Sequence, residues 1–78
     1  MFRVHPISSQ KLIKILQRAG FKVMRQKGSH VIMTNDKKTR IVIPVHPKKE
    51  IKPGLVRAII KEAGLTRDDF IRLLKEEL

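Results

Sequence analysis

The spacing of apolar residues changes from helical to extended near residue 21 and returns to helical near residue 53. Residues 8–20 carry one apolar helix face, with Ser8 or Ser9 as the cap and Gly20 at the end. Three stretches rich in β-forming residues follow, separated by polar turns: 21–27, 31–34 and 40–45. This order restricts the chain to a mixed fold in which one helix precedes three strands.

Two further helices are predicted after the strands. Pro53 suits the first turn of the second helix, and Gly64 ends its apolar face. Thr66 and Asp69 have the spacing of a capping box, so they predict the start of a third helix that runs to Leu78.

These elements predict an α+β fold of order α-β-β-β-α with an additional C-terminal helix. The simplest arrangement is a three-stranded antiparallel sheet with the first two helices on one face and the other face open. Pro44 cannot donate a ladder hydrogen bond, so it belongs at a strand end or on an edge. Double-stranded-RNA-binding domains share this layout, although a fold alone does not define a function.

The chain has 78 residues, enough for one small domain, and it contains no cysteine. Without cysteine there is no disulfide framework, no Cys-based zinc site and no thiol nucleophile. No apolar run is long enough for a transmembrane helix or a signal peptide, so we expect a cytoplasmic protein without membrane contact.

The net charge of +11 is confined to the first two-thirds of the chain. Residues 1–49 contain 12 basic residues and one acid, whereas residues 50–78 are neutral overall. This uneven charge favours a nucleic-acid partner over a uniformly basic, well-solvated surface. With Phe2, Phe21 and Phe70 as the only aromatics, a base-stacking platform is disfavoured.

The acidic residues do not suggest a metal site. Asp68 and Asp69 fit the first turn of the last helix, where negative charge complements the helix dipole. Glu76 and Glu77 lie at the C-terminus, and Asp36 is the only acid in the basic region. A two-metal nuclease is therefore disfavoured.

Among the histidines, His30 has the most suggestive surroundings, because it follows the turn at Gly28 and Ser29 and several cations lie just upstream. If Val31 faces the helices, His30 faces the open side of the sheet, but Ile32 on the opposite parity is an equally good core residue. The parity therefore leaves the orientation of His30 open.

A histidine in a basic RNA-binding site can support RNA cleavage without a metal. A neutral imidazole can take the proton of the ribose 2′-OH, which then attacks the adjacent phosphorus. Nearby cations would stabilise the charge that develops on the phosphate. The alternative is that His30 only contacts a phosphate or solvent. His5 is expected at the surface, and His46 is expected in a loop with a structural or surface role.

Several segments in this order resemble the HicA family of toxin mRNA interferases. The most specific are residues 25–30 (RQKGSH) and residues 43–47 (IPVHP) at their usual distance. The supporting segments are residues 7–16, 19–21, 50–51 and 61–65. The resemblance covers about residues 6–65, which we take as the core of a single domain spanning residues 1–78. Residues 66–78 form an extra C-terminal helix that could pack on the sheet edge or contact an antitoxin or a second copy.

The resemblance implies a double-stranded-RNA-binding-like fold, RNA cleavage as part of a type II toxin–antitoxin system, and a HicB-type antitoxin that covers the active face. It also implies that His30 is catalytic and that no metal or organic cofactor is needed. Many family members have a second histidine where this chain has Val31, and the second helix opens with Gly54 and Leu55 rather than the usual Gly-Thr-Leu.

The sequence therefore predicts a cytoplasmic endoribonuclease that cleaves mRNA, with His30 as the catalytic residue. The predicted RNA contacts are Lys22, Arg25, Lys27, Gly28, Ser29, Arg40 and His46. The main alternative is a double-stranded-RNA-binding-like module without catalysis, which would bind RNA in a salt-dependent manner and release no product. A DNA-binding protein and a basic interaction protein with an acidic partner are further alternatives.

Overall fold

The structure is a computed structural model that describes residues 6–46 and 49–76. Its elements are α1 (Ser9–Arg18), β1 (Lys22–Lys27), β2 (His30–Thr34), β3 (Arg40–Pro44), α2 (Pro53–Glu62) and α3 (Arg67–Glu76). The predicted α+β order is confirmed. Compared with the predicted ranges, β1 starts one residue later, β2 starts one residue earlier and β3 ends one residue earlier. The predictions for His5 and Leu78 lie outside the described residues.

The three strands form an antiparallel sheet in the order β1-β2-β3. The turn between β2 and β3 is organised by Asn35, whose Oδ1 accepts hydrogen bonds from the backbone N–H of Lys37 at 3.1 Å and of Thr39 at 2.9 Å. Lys38 takes a left-handed conformation with φ of 63° in this turn. Pro44 is the last residue of β3, as its missing N–H predicts.

One face of the sheet is covered by helices. α1 contacts β1 and β3, and α2 contacts β3. The buried strand residues on this side alternate along the chain, as period-2 geometry requires: Val31, Met33, Ile41 and Ile43. They pack with apolar residues of the two helices: Leu12, Ile15, Leu16, Val56, Ile59 and Ile60.

Local hydrogen bonds fix the start of α1 and connect it to the segment before α2. Ser8 is the N-cap of α1, and its Oγ accepts a hydrogen bond from the backbone N–H of Lys11 at 3.1 Å. Ile7 and Ile51 pair as an isolated antiparallel bridge, with N···O distances of 3.3 and 2.7 Å. The bridge ties the segment before α1 to the segment before α2.

The C-terminal helix α3 completes the helix layer. Thr66 and Asp69 form the predicted capping box, because each backbone N–H donates to the other residue's side-chain oxygen at 3.0 Å. Phe70 and Leu73 are buried in the main core, and α3 contacts α1. The alternative in which this segment packs on a sheet edge is therefore wrong, since its apolar side is used to cover α1.

Candidate functional site

The backbone register settles which side of the sheet His30 faces. His30 pairs with Lys27 on one side and Pro44 on the other, whereas Val31 pairs with Ile43. Val31 and Ile43 are both buried in the core under the helices. Because successive strand residues alternate between faces, His30 lies on the opposite side, away from the helices.

This side of the sheet, which we call the open face, is built from three rows of paired residues. The end row is Lys27–His30–Pro44, the middle row is Arg25–Ile32–Val42, and the far row is Lys22–Thr34–Arg40. Each row has at least one cation, and the open face has no acidic residue in the three rows. The three rows thus form a basic surface with His30 at one end.

A β-bulge in β1 determines which cations reach the open face. The register shifts between Val23 and Arg25, so Met24 has no partner in β2. Lys22 and Arg25 are three residues apart and would face opposite sides of a regular strand. The bulge adds one residue between them and brings both onto the open face. Sequence parity alone could not show this arrangement.

The two-residue turn before His30 is fixed by its own conformation and by both flanking segments. Gly28 has φ of 59°, as required at the first position of a tight type II′ turn. The Gln26 side-chain amide donates to the Gly28 carbonyl at 3.2 Å. The backbone N–H of Val45 donates to the Ser29 carbonyl at 2.6 Å. These bonds hold His30 at a defined corner of the sheet.

The rows place the predicted site residues at different distances from His30. Directly paired residues such as Lys27 have Cα atoms about 4.5–5.5 Å away, and the middle-row Arg25 is one step along the sheet. Lys22 and Arg40 flank Thr34, which lies four residues, about 13 Å, along β2 from His30. The sheet therefore brings Lys27 and Arg25 near His30 and keeps Lys22 and Arg40 at the far end.

The middle row gives the open face an apolar centre. Ile32 is only 6 % exposed although it does not belong to the main core, and Val42 beside it is 44 % exposed. Ile32 is therefore buried outside the apolar cluster that the helices cover. By sequence, Ile32 is an equally good candidate for the core, and only the strand register shows which face of the sheet it occupies.

The remaining features of the described chain lie elsewhere. A cavity of about 650 Å³ opens between α2 and α3, and Arg57, Lys61 and Phe70 are among its lining residues. No open-face residue lines it. Within residues 6–46 and 49–76, no three histidine, cysteine or acidic side chains come together as metal ligands. None of the helices in these ranges is long and apolar enough to cross a bilayer.

A family model described as the HicA toxin of bacterial toxin–antitoxin systems matches residues 9–65. The matched range starts with α1, includes the whole sheet and α2, and ends before the capping box of α3. It therefore contains every residue of the open face as well as His46. No curated protein matches the chain.

Proposed function

Since the chain belongs to the HicA family of toxins from bacterial toxin–antitoxin systems, we propose that it is an endoribonuclease that cleaves mRNA. The observation that carries this proposal is the position of His30 on the open face, paired with Lys27 and one row from Arg25. An exposed imidazole among cations has the two properties that RNA cleavage requires, a proton acceptor and a phosphate-binding surface.

In the proposed reaction, His30 acts on the ribose 2′-OH of the bound RNA. A ring nitrogen of its neutral imidazole takes the hydroxyl proton, and the 2′-oxygen attacks the adjacent phosphorus. The bond from phosphorus to the 5′-oxygen breaks, which leaves a 2′,3′-cyclic phosphate and a 5′-hydroxyl. Lys27 and Arg25 are placed to stabilise the additional negative charge on the phosphate oxygens. The RNA supplies its own nucleophile, so we propose no metal or organic cofactor.

The other predicted RNA contacts fit a strand that crosses the open face. Lys22 and Arg40 at the far row would bind phosphates away from the cleaved bond. Gly28 and Ser29 shape the turn at the His30 end, and His46 follows β3 at that same end. Such contacts to the backbone position the RNA and do not depend on its sequence.

A HicB-type antitoxin is the proposed protein partner. A basic open face without acidic residues in its rows is complementary to an acidic protein surface, and covering it would block access to His30. The proposed location is the cytoplasm, where mRNA and a toxin–antitoxin complex would meet.

The test is a ribonuclease assay with a long RNA in EDTA, comparing the wild type with His30→Ala. We expect the wild type to release fragments with cyclic phosphate ends and the variant to lose about 10²–10⁴-fold in rate. His30 is exposed, so the variant should keep the wild-type thermal unfolding curve and RNA affinity. Lys61→Ala on α2 is the control for the loss of an exposed polar side chain away from the open face.

Two results would count against the proposal. Cleavage by His30→Ala at the wild-type rate would remove His30 from the reaction. RNA binding by both proteins with cleavage by neither would instead support the alternative, a double-stranded-RNA-binding-like module without catalysis.

A further inference from the structure

The cleavage reaction of the proposed function requires a second proton transfer, to the 5′-oxygen that leaves the phosphorus. When the bond from phosphorus to the 5′-oxygen breaks, that oxygen leaves as an alkoxide unless it receives a proton. His30 takes the first proton and is not free to donate another at the same moment. An efficient site therefore places a separate proton donor near His30.

The structure brings a second histidine to the same corner of the sheet. His30 pairs with Pro44, the last residue of β3. The ladder continues one step further, because the backbone N–H of Val45 donates to the Ser29 carbonyl at 2.6 Å. His46 is two residues beyond Pro44, the partner of His30, and is therefore the diagonal neighbour of His30.

The direction of His46 follows from its neighbour. Val45 is partly buried and packs against the core on the helix side. In an extended chain, the residue that follows a helix-facing Val45 faces the side of Pro44 and His30. Diagonal neighbours in an antiparallel pair have Cα atoms about 7–8 Å apart, within reach of aromatic side chains on both sides of one phosphate.

The surroundings of His46 leave room for a substrate. His46 is exposed, and a Cβ built on Gly28, in the turn before His30, would meet no atom within 4 Å. Lys27 and Arg25 also lie near His30, but ammonium and guanidinium groups hold their protons tightly at neutral pH. Imidazole exchanges a proton readily in this range, which makes it the better donor.

We propose that His46 is the general acid of the cleavage reaction and acts as the partner of His30. The inference rests on the proposed function. His30 removes the 2′-OH proton as the O2′–P bond forms, and the imidazolium of His46 gives its proton to the 5′-oxygen as the P–O5′ bond breaks. The products are the 2′,3′-cyclic phosphate and the 5′-hydroxyl. His30 ends protonated and His46 ends neutral, so solvent exchange restores both.

The decisive experiment uses two versions of one oligonucleotide that contains a cleavage site mapped on the long RNA. In the second version, sulfur replaces the 5′-oxygen at the scissile bond. A thiolate leaves without protonation, so this substrate does not need a general acid. The wild type, His30→Ala, His46→Ala and Lys61→Ala are compared on both substrates in EDTA.

We expect His46→Ala to cleave the ordinary RNA about 10²–10⁴-fold more slowly than the wild type and the sulfur substrate within a few-fold of it. His30→Ala should be impaired on both substrates, because the 2′-OH still has to lose its proton. Lys61→Ala should behave as the wild type. His46→Ala should lose no more than a few-fold in affinity for an oligonucleotide with a 2′-deoxy sugar at the cleavage site, as expected for the loss of one contact.

The outcomes separate this inference from the proposed function. If the wild type cleaves neither substrate, the proposed function fails and the role of His46 fails with it. If the wild type cleaves both while His46→Ala is equally slow on both, His46 positions the RNA and is not the proton donor. Wild-type rates for His46→Ala on ordinary RNA, or rescue of His30→Ala by the sulfur substrate, would overturn the assignment while leaving the nuclease activity established.

Discussion

Adjacent residues of β3 differ sharply between the two faces of the sheet. Ile41 and Ile43 are fully buried under α1 and α2, whereas Val42 between them is 44 % exposed on the open face. β2 shows the same contrast at its start, where His30 is exposed and Val31 is buried. In β2 and β3, adjacent residues therefore lie on opposite faces, one facing the core and the next facing the candidate site.

The comparison suggests a division of roles. The helix face has little space for change, because its apolar side chains fill a thin core in a small domain. The open face carries cations and a histidine whose side chains are not needed to fill that core. Substitutions on the helix face should therefore reduce stability, and substitutions on the open face should reduce RNA binding or cleavage.

The largest effect on stability should come from Ile41→Ala compared with Val42→Ala. Truncating the fully buried Ile41 should lower the free energy of unfolding by about 2–5 kcal/mol, because it leaves a cavity in the core. Val42→Ala removes a half-exposed side chain and should cost at most about 1 kcal/mol through reduced strand propensity. Urea unfolding with linear extrapolation measures both values.

The total stability of a globular protein is only about 5–15 kcal/mol, so Ile41→Ala is to be measured at reduced temperature if it is largely unfolded at 25 °C. Ile41→Val is the milder companion, with an expected loss of about 0.5–1.5 kcal/mol. Equal losses at positions 41 and 42 would contradict the assignment of the two residues to different faces.

The sequence was sufficient to predict the element order because its signals are local. Gly20 ends the first helix, Pro53 opens the second, and Thr66 with Asp69 caps the third, each through a backbone preference that acts within a few residues. The burial of α3 against α1 depends instead on contacts between distant segments. Its capping box was readable from the sequence, but its packing partner was not.

The candidate site was predictable only in part. The turn at Gly28 and Ser29 placed His30 between the turn and the predicted strand, but parity could not decide its face, because Ile32 is as apolar as its neighbours. The structure resolves this conflict by burying Ile32 on the open face. The bulge at Met24 carries no distinct signal in the sequence, since β-forming residues surround it, yet it decides that Lys22 and Arg25 share a face.

The difference between the helix face and the open face can also be tested by measuring RNA affinity. Arg25→Ala, made in the His30→Ala background to prevent cleavage, should weaken RNA binding by about 1.5 kcal/mol, the scale of one charged contact. It should also reduce the slope of log affinity against log salt concentration by about 0.7–0.9, because one phosphate contact is lost. Titration of a labelled RNA at several salt concentrations measures both quantities.

Lys61→Ala in the same background is the matched control, because it removes one positive charge from α2 and not from the open face. Its affinity should be closer to that of the parent, and its salt slope should change less than that of Arg25→Ala. If the two variants lose the same affinity and the same slope, RNA responds to net charge alone and the open face is not the interface.

The smallest effect concerns the part of the helix layer that lies outside the family match. Thr66→Ala removes the hydroxyl that accepts from the Asp69 backbone N–H at 3.0 Å and should lower the free energy of unfolding by about 1 kcal/mol. RNA cleavage by the folded protein should not change, because α3 packs against α1 and contributes no residue to the open face. A change in cleavage without a change in stability would show that α3 acts on the site.

The same cap should make stability depend on pH in the acid range. The backbone N–H of Thr66 and then its hydroxyl lower the pKa of Asp69 below its ordinary value, and Arg72 at 3.6 Å acts in the same direction. A carboxyl whose pKa is lower in the folded state stabilises the fold above its unfolded pKa, and this contribution is lost as the pH falls through the folded pKa.

Asp69→Asn cannot ionise, so the wild type should be more stable than this variant at neutral pH, and the difference should shrink as the pH falls below 4. Unfolding curves of both proteins from neutral to acid pH measure the difference, and a constant gap across that range would show that the Asp69 charge does not contribute to the cap.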